Sequence, residues 1–400
     1  MISSSLQSIR NIGTEKVFVK KLRNALCCTP HLLFGEKVSA GYTFIVFILD
    51  SRFLIPASTH MTRVAINGFG RIGRQFLKAA LEDSKLKIVA INDLGDLAHL
   101  VYLLKYDSVY RTWDKDVSMK DGMLIVGGKE IAFLQERDPT KLPWKDLDVD
   151  VVVESTGAFE SYEKARVHIT AGAKRVVLSA PAKDDDGPDA QTVLMGVNEE
   201  ALKTCTLSSN GSCTTNSASP VMQILTENLG IKKAFLTTVH GYTATQSIVD
   251  SPTKGDDYRR GRAAAQNIVP SSTGAAIAVA RAIGALKGKF DGISMRVPVI
   301  VGSISQISFV SERGTTVEEI NGLFEKAEKD KRWKGLLKTT RDQIVSSDII
   351  GEETPAIIDL SMTRVVDGDL CSICSWYDNE MGYTHTLVDH VIKTGKMINN

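Results

Sequence analysis

The chain has 400 residues, 43% of them hydrophobic and 24% charged, with 48 basic against 47 acidic side chains. That length exceeds one ordinary hydrophobic core and implies two domains, and a net charge of +1 excludes a basic field able to hold nucleic acid or an anionic membrane. Six cysteines, at 27, 28, 205, 213, 371 and 374, are too sparse for a disulfide framework and point to a reducing compartment.

Residues 1–60 hold seven basic and three acidic residues, which leaves 41 basic against 44 acidic in the remainder. The extension is serine-containing and basic, the body slightly acidic. Its one apolar stretch, Tyr42 to Leu49, falls far short of the ~20 residues that cross a bilayer, so no membrane helix is expected. Two readings stay open. An organelle transit peptide would send the protein to a plastid or another organelle; dispensable sequence upstream of a true start at Met61 would leave it cytoplasmic.

From Arg63 the chain reads VAIN, GFGRIG, RQFLKAALED and KIVAIND, which predicts strand, tight turn, helix and second strand. Apolar strands are expected at 149–156, 174–180 and 204–210, with helical segments at 98–105 and 163–171 between them. Strands that alternate with helices in this way imply a Rossmann-type, doubly wound parallel sheet of the α/β class. A hairpin is expected at Gly127-Gly128. Gly68-Phe69-Gly70-Arg71-Ile72-Gly73 is a weak glycine motif alone, but it follows a strand, opens a helix and is answered by Asp93 at the end of the next strand. Gly68, Gly70 and Gly73 would let the backbone approach a pyrophosphate held at the helix start, and Asp93 would accept hydrogen bonds from a ribose while repelling a 2′-phosphate. The cofactor expected is therefore NAD. The bland alternative is a glycine turn with no ligand.

Beyond residue 212 the pattern changes to long strands, KKAFLTTVHGY, GISMRVPV, SISQISFVSE, AIIDLSMTRVV and LCSICSWYD, which predict a mostly antiparallel sheet in an α+β domain. Helices over 273–286 and 317–330 would cover one face. The last helix would return to the first domain. The boundaries expected are 61–211 for an NAD-binding domain completed by a C-terminal helix within 380–400, and 212–379 for a catalytic domain. Cys371 and Cys374 form a CxxC inside a strand, so their side chains face opposite ways and read as buried structure; no metal site is expected.

Cys213 follows a strand and opens the helical segment TTNSASPVMQILTENLG, where the positive end of a helix favours thiolate. On that ground alone a buried small hydrophobe is an equal reading. His240 ends the strand AFLTTV, and the combination with a dinucleotide fold suggests an ion pair in which the imidazole lowers the thiol pKa and then moves protons.

SCTTN, TVHGYTATQ, AAQNIVPSSTGAA, MRVPV and WYDNEMGY, in this order and spacing, resemble the phosphorylating glyceraldehyde-3-phosphate dehydrogenases, and the match runs from Met61 to near Met397. The resemblance implies that Cys213 is the nucleophile and His240 its base. Cys213 would add to the aldehyde of glyceraldehyde 3-phosphate, hydride would leave for NAD, and inorganic phosphate would release the thioester as an acyl phosphate. It further implies Thr243 and Arg296 for the substrate phosphate, and Ser212, Thr214, Thr273 and Gly274 for the attacking phosphate. Helix capping is the competing role for the hydroxyl residues. On the cofactor side it implies the amides of Arg71 and Ile72 for the pyrophosphate, Arg137 for the adenine end, Thr156, Gly157 and Ser179 beside the parallel strands, Asn379 for the nicotinamide amide and Tyr383 near the ring. The segment Val249 to Ile268 matches a loop that meets a neighbouring subunit, so a homotetramer is implied. The cluster Arg259, Arg260 and Arg262 within it reads as an interface paired with acids in preference to a nucleic-acid patch.

Some positions depart from the family pattern. Ser217 stands where many relatives have a second cysteine, Ser251 replaces a commoner glycine or leucine near the adenosine ribose, and the interface loop is one residue longer around Gly255 to Asp257. Erythrose-4-phosphate dehydrogenase is the nearest enzymatic alternative, and a redox-sensing role for Cys213 is the alternative outside catalysis.

Overall fold

The computed structural model describes residues 35–37, 43–45, 61–253 and 256–398. Residues 1–59 and 60–400 form separate units. In the first, Gly35–Lys37 and Thr43–Ile45 pair antiparallel; the rest of the extension, with Cys27, Cys28 and the choice between transit peptide and upstream sequence, lies outside the described residues.

The second unit begins with β1 (Thr62–Asn67), α1 (Arg71–Ala80), β2 (Leu86–Asn92) and α2 (Leu97–Lys105), as the glycine motif predicts. The helix forms because Gly73, Phe76, Leu77 and Ala80 recur at helical spacing and bury one stripe. After it come β3 (Val117–Lys120), β4 (Met123–Val126), β5 (Lys129–Leu134) and β6 (Val151–Glu154). Gly127 and Gly128, both at positive φ, make the tight turn between β4 and β5. The expected helix over 163–171 is two short turns, α3 (Tyr162–Ala165) and α4 (Val167–Thr170), followed by β7 (Arg175–Leu178), β8 (Ala190–Thr192) and β9 (Leu207–Ser209). These nine strands form one sheet in the order β8-β9-β7-β6-β1-β2-β5-β4-β3, parallel from β8 to β5 and closed by the antiparallel hairpin. All four residues of β6 are buried, as a strand covered on both faces requires.

The remainder contains α5 (Cys213–Asn228), β10 (Ile231–Gly241), β11 (Val269–Ser272), α6 (Ala275–Ala282), β12 (Phe290–Val297), β13 (Ser303–Ser311) and α7 (Val317–Glu328). It ends with β14 (Lys338–Thr340), β15 (Ile357–Asp359), β16 (Arg364–Val366), β17 (Leu370–Tyr377) and α8 (Met381–Lys396). The second sheet runs β11-β12-β10-β13-β17-β15-β14, with β16 on β17. It is mostly antiparallel; β10 with β12 and β14 with β15 are its parallel pairs. AIIDLSMTRVV is two strands, not one. Asp359 accepts from Ser361 N and Oγ, which turns the chain into a 3-10 turn at Leu360–Met362 before β16. Helix α6 is also shorter than expected, because Thr273 and Gly274 serve as its start and the chain tightens to a 3-10 turn at Gly284–Leu286.

Each sheet has its own apolar core. Val64, Ile66, Phe76, Val151 and Val153 pack with Leu387 and Val391 of α8, so the last helix covers the first sheet. Val221 and Leu225 of α5 pack with Leu236, Ile307, Phe309, Ile373 and Phe324 under the second. Cys371 and Cys374 are buried with free thiols, and no cluster of metal-ligating side chains occurs among the described residues.

Candidate active site

The carboxyl edge of the parallel sheet and the start of α5 carry most of the expected site residues. Gly68 has φ +96°, and a Cβ there would lie 2.6 Å from Ser155 C and Thr156 N. At Gly73 it would lie 2.1 Å from Gly68 O, so the third glycine lets α1 press against the turn. Gly70 faces open space, with nothing within 4 Å of where a methyl would stand, and no side chain caps the first turn of α1. A bare, cap-free helix start beside an open glycine is a cradle for an anion, and the amides of Arg71 and Ile72 belong to that turn. These residues fit a dinucleotide pyrophosphate.

Asp93, one residue past β2, accepts from Phe69 N at 2.6 Å and Gly95 N at 2.8 Å, which fixes its carboxylate beside the glycine turn. Thr156 N and Oγ1 both donate to Glu154, and Ser179 N donates to Glu154 O. Thr156, Gly157 and Arg137 are at least partly exposed. The Arg71 side chain forks onto Glu380 and reaches Asp107 at 2.6 Å, joining the start of α1 to the start of α8. Burial alone would lower the charge on this guanidinium, but the two carboxylates outweigh it.

Asn379 sits between β17 and α8, its Oδ1 accepting from Gly302 N at 3.0 Å and Ser303 Oγ at 3.1 Å. Tyr383 is buried and donates to Gly211 O at 3.2 Å. Its observed part is to brace the turn before Cys213, where Gly211 takes φ +63°.

Cys213 is the first residue of α5. Ser212 caps the helix through Oγ, which accepts from Thr215 N at 3.1 Å. The thiol lies 3.3 Å from His240 Nε2, and the imidazole is buried at the end of β10. Parallel pairing sets His240 directly beside Arg296 of β12. Arg296 Nη1 approaches His240 Nδ1 at 2.5 Å and donates to Gly241 O at 3.2 Å. No carboxylate partner for Arg296 occurs among the described residues, which leaves a half-buried guanidinium available to an anion.

Burial opposes charge on both Cys213 and His240. It pushes the Cys213 thiol up, while Arg296 and the amide of Thr214 pull it down; burial and Arg296 together hold the imidazole down to about 3. Passing the proton from sulfur to Nε2 keeps the pair neutral overall, so burial penalises that transfer far less than either charge alone. Both shifts favour the neutral thiol beside a neutral imidazole, so the expected ion pair is not the form these surroundings favour at rest.

Thr214 Oγ1 lies 2.8 Å from Tyr377 OH, which in turn lies 2.7 Å from Thr238 Oγ1, and the Tyr377 ring meets the imidazole edge-on at 5.9 Å. Sequence reasoning misses Tyr377. Its only signal is its place at the inward-facing end of the strand before Asn379. Thr243 Oγ1 contacts Thr245 Oγ1 at 2.9 Å on the loop after His240. Thr273 Oγ1 accepts from Ala275 N at 3.2 Å, so the capping role holds there, with Gly274 as the N-cap residue. Thr273 follows Ser272, which pairs with Ile293, three residues along β12 from Arg296. Ser217, one turn after Cys213, contacts Ser375 Oγ at 3.0 Å. Arg259 and Arg260 pair with Asp257, and Arg262 with Asp250, so this cluster is answered by acids of its own segment. Gly255 lies outside the described residues.

Two family descriptions match the chain: the NAD-binding domain of glyceraldehyde 3-phosphate dehydrogenase over residues 62–162, and its C-terminal domain over residues 212–379. Among curated relatives, glyceraldehyde-3-phosphate dehydrogenase of Streptomyces coelicolor is 47% identical over 339 residues, covering 84% of this chain and 99% of the relative. Those of Clostridium pasteurianum and Thermotoga maritima are 47% and 49% identical over 332 residues, each covering 82% of this chain and 97% or 98% of the relative.

Proposed function

The chain belongs to the glyceraldehyde-3-phosphate dehydrogenase family, and from that membership we propose that it oxidises D-glyceraldehyde 3-phosphate with NAD and phosphate to 1,3-bisphosphoglycerate, in glycolysis or gluconeogenesis. The observation that carries the mechanism is the Cys213 thiol 3.3 Å from His240 Nε2, at a helix start and beside a guanidinium with no acid partner among the described residues.

Arg296, with Thr243 on the adjoining loop, binds the substrate phosphate and brings C1 to the sulfur. Cys213 gives its proton to Nε2 as the S–C bond forms, and the carbonyl oxygen, protonated in turn, becomes the hydroxyl of a hemithioacetal. His240 Nε2 then takes that hydroxyl proton as the C1 hydride leaves and the carbonyl re-forms as a thioester. When bound, NAD supplies the hydride acceptor at C4 of its nicotinamide. Gly68, Gly70 and Gly73 with the amides of Arg71 and Ile72 hold the pyrophosphate, Asp93 the adenosine ribose, Arg137 the adenine, Thr156, Gly157 and Ser179 the strand edge, and Asn379 the carboxamide, with Tyr383 behind the nucleophile's turn. Ser212, Thr214, Thr273 and Gly274 receive the second phosphate, whose oxygen attacks the thioester carbon; the thiolate leaves and the acyl phosphate is released.

The division into an NAD-binding part, 61–211 with α8, and a catalytic part, 212–379, is supported by the two sheets and their separate cores. A homotetramer is supported by Phe235, Val239 and Ile293, exposed on the sheet face away from α5, and by exposed Ile248, Val249, Tyr258 and Ile268 in the adjoining loop. A cytoplasmic setting agrees with the four free thiols among the described residues; no helix there is long and apolar enough to cross a membrane.

The test is NADH formation by the chain from Met61 with glyceraldehyde 3-phosphate and with erythrose 4-phosphate, each with and without phosphate, using NAD and then NADP. Phosphate-dependent oxidation of the triose with NAD is expected. Oxidation that ignores phosphate would overturn the phosphorylating assignment, and equal kcat/KM with NADP would overturn the role given to Asp93.

A further inference from the structure

Three neighbouring parallel strands end in polar residues that are buried beneath the dinucleotide cleft. Glu154 ends β6, Asn67 ends β1 and Asn92 ends β2, and the pairing register sets Asn67 beside both. Their exposures are 4%, 2% and 5%, so their hydrogen bonds are made with protein or not at all.

They are made in an unbroken line. Asn67 Nδ2 donates to Glu154 Oε2 at 2.6 Å, and Asn67 Oδ1 accepts from Asn92 Nδ2 at 2.8 Å. Asn92 then grips the next loop from both sides: Nδ2 donates to Glu136 O at 3.0 Å and Oδ1 accepts from Glu136 N at 2.9 Å. At the other end Glu154 Oε1 accepts from Thr156 N at 2.8 Å and Thr156 Oγ1 at 2.5 Å. Both amides can point only one way. Glu154 must receive an N–H from Asn67, and Asn67 must then present oxygen to Asn92.

Glu154 has one further partner. Trp144 Nε1 donates to His168 Nδ1 at 3.1 Å, so the imidazole carries its proton on Nε2 and directs it to Glu154 Oε2 at 3.0 Å. All four groups around the carboxylate are donors, and His168 is the other titratable side chain hydrogen-bonded to it among the described residues.

The two ends of this line adjoin Thr156 and Arg137, both assigned to the cofactor in the proposed function. We propose that Asn67 is a positioning residue for the dinucleotide: by joining Glu154 to Asn92 it fixes the Thr156 loop and the Arg137 loop at one separation, so that both meet the same NAD molecule. Asn67 itself touches no reacting atom. Its contribution is to binding and leaves the chemistry at Cys213 alone.

This rests on the cofactor reading, and the experiment separates the two. NAD affinity is measured by calorimetry for the wild-type full chain, Asn67→Leu and Asn67→Asp from pH 6 to 9, with melting temperature and kcat at saturating NAD alongside. Asn67→Leu removes both links and should weaken NAD about tenfold at every pH, the loss expected for stranded buried partners. Asn67→Asp sets a second carboxyl at hydrogen-bond distance from Glu154. Two such groups share a proton at low pH and repel once it is lost, and full burial raises such a carboxyl to about 8–9. The variant should therefore bind NAD near normally at pH 6 and about tenfold more weakly at pH 9, with kcat within about twofold of wild type throughout. A role confined to stability would lower the melting temperature of both variants without a pH-dependent NAD affinity, and that result overturns the proposal, as would wild-type affinity in Asn67→Asp at every pH. Failure of the wild type to bind NAD would instead overturn the cofactor reading.

Discussion

Cys213 is set apart from the other described cysteines by position rather than by composition. It stands at the first turn of α5, 3.3 Å from His240; burial pushes its thiol up as it does those of Cys205, Cys371 and Cys374, but here an imidazole is placed to take the proton. Cys213→Ser keeps the size and the cap but loses the soft nucleophile, so NADH formation should fall to background while calorimetry still detects NAD binding. Turnover above a few per cent of wild type would remove the assigned nucleophile. Arg296→Gln should raise KM for glyceraldehyde 3-phosphate about ten- to hundredfold, the range for one charge-assisted hydrogen bond, with KM for NAD unchanged. Parallel rises in both constants would mean a collapsed site in place of a lost anion partner. The cysteine and histidine are legible from sequence because a strand-helix junction and a strand end are local signals. Arg296 is legible only through the resemblance, Tyr377 signals no more than an inward-facing strand end, and Glu154 carries no local signal, because which side chains lie abreast depends on strand order. His240 and Arg296 are 56 residues apart and meet only because β10 pairs with β12.

At the level of elements, the site depends on how closely α1 and α8 approach the parallel sheet. Gly73→Ala would drive a methyl to 2.1 Å from Gly68 O, and the obstacle is backbone, which cannot swing aside as a side chain can. The helix start must lift from the turn. NAD affinity should drop at least tenfold, and the melting temperature by several degrees, consistent with an overpacking cost of about 1–3 kcal/mol. An alanine variant with unaltered NAD affinity would show that the turn yields without disturbing the anion cradle. Glu380→Gln removes the bidentate partner of Arg71 and leaves Asp107 holding one nitrogen. The start of α8, which bears Asn379 just before it, should loosen from α1, seen as faster amide exchange over residues 378–384. The βαβ unit, the Gly127-Gly128 hairpin and the terminal helix are all readable, since each follows from apolar period or turn chemistry. The break at Leu360–Met362 is not. Leu360 remains buried through the turn, so the apolar pattern of a strand continues where the backbone has left it, and Asp359 decides the matter by a side-chain hydrogen bond.

For the whole molecule, two sheets with separate cores are foreseeable from the change of rhythm near residue 212, but the buried polar contacts that join α8 to the nucleotide sheet are not. His390 of α8 is fully buried, with Nδ1 toward Asn210 Oδ1 at 3.0 Å and Nε2 toward Ser208 Oγ at 2.8 Å. Burial, aided by Lys393, holds its pKa down to about 3, as burial and Arg296 do for His240. In the unfolded chain both return toward ~6.5. Between those values the unfolded state binds more protons, so stability is greatest above about pH 6.5 and is lost as the pH falls toward 3. By pH 5 the loss is about 2 kcal/mol for each histidine, taking ~1.4 kcal/mol per unit over ~1.5 units. Opposing this, Asp378, Glu380 and Asp389 have carboxyls raised by burial and take up protons more readily in the folded state, which softens the fall. Asp107, Asp189 and Glu352, lowered by their partners, add to the loss at lower pH. The histidines titrate first, so the melting temperature should decline between pH 6.5 and 5, before most carboxylates respond. His390→Asn offers a donor where Nδ1 meets Asn210 and has no imidazole to protonate. It should start lower at pH 8, having lost the Ser208 contact, yet decline less between pH 6.5 and 5 than the wild type, by close to half if the two histidines contribute equally. Parallel declines in variant and wild type would assign the acid sensitivity to His240 and the carboxylates, and would leave His390 with a packing role alone.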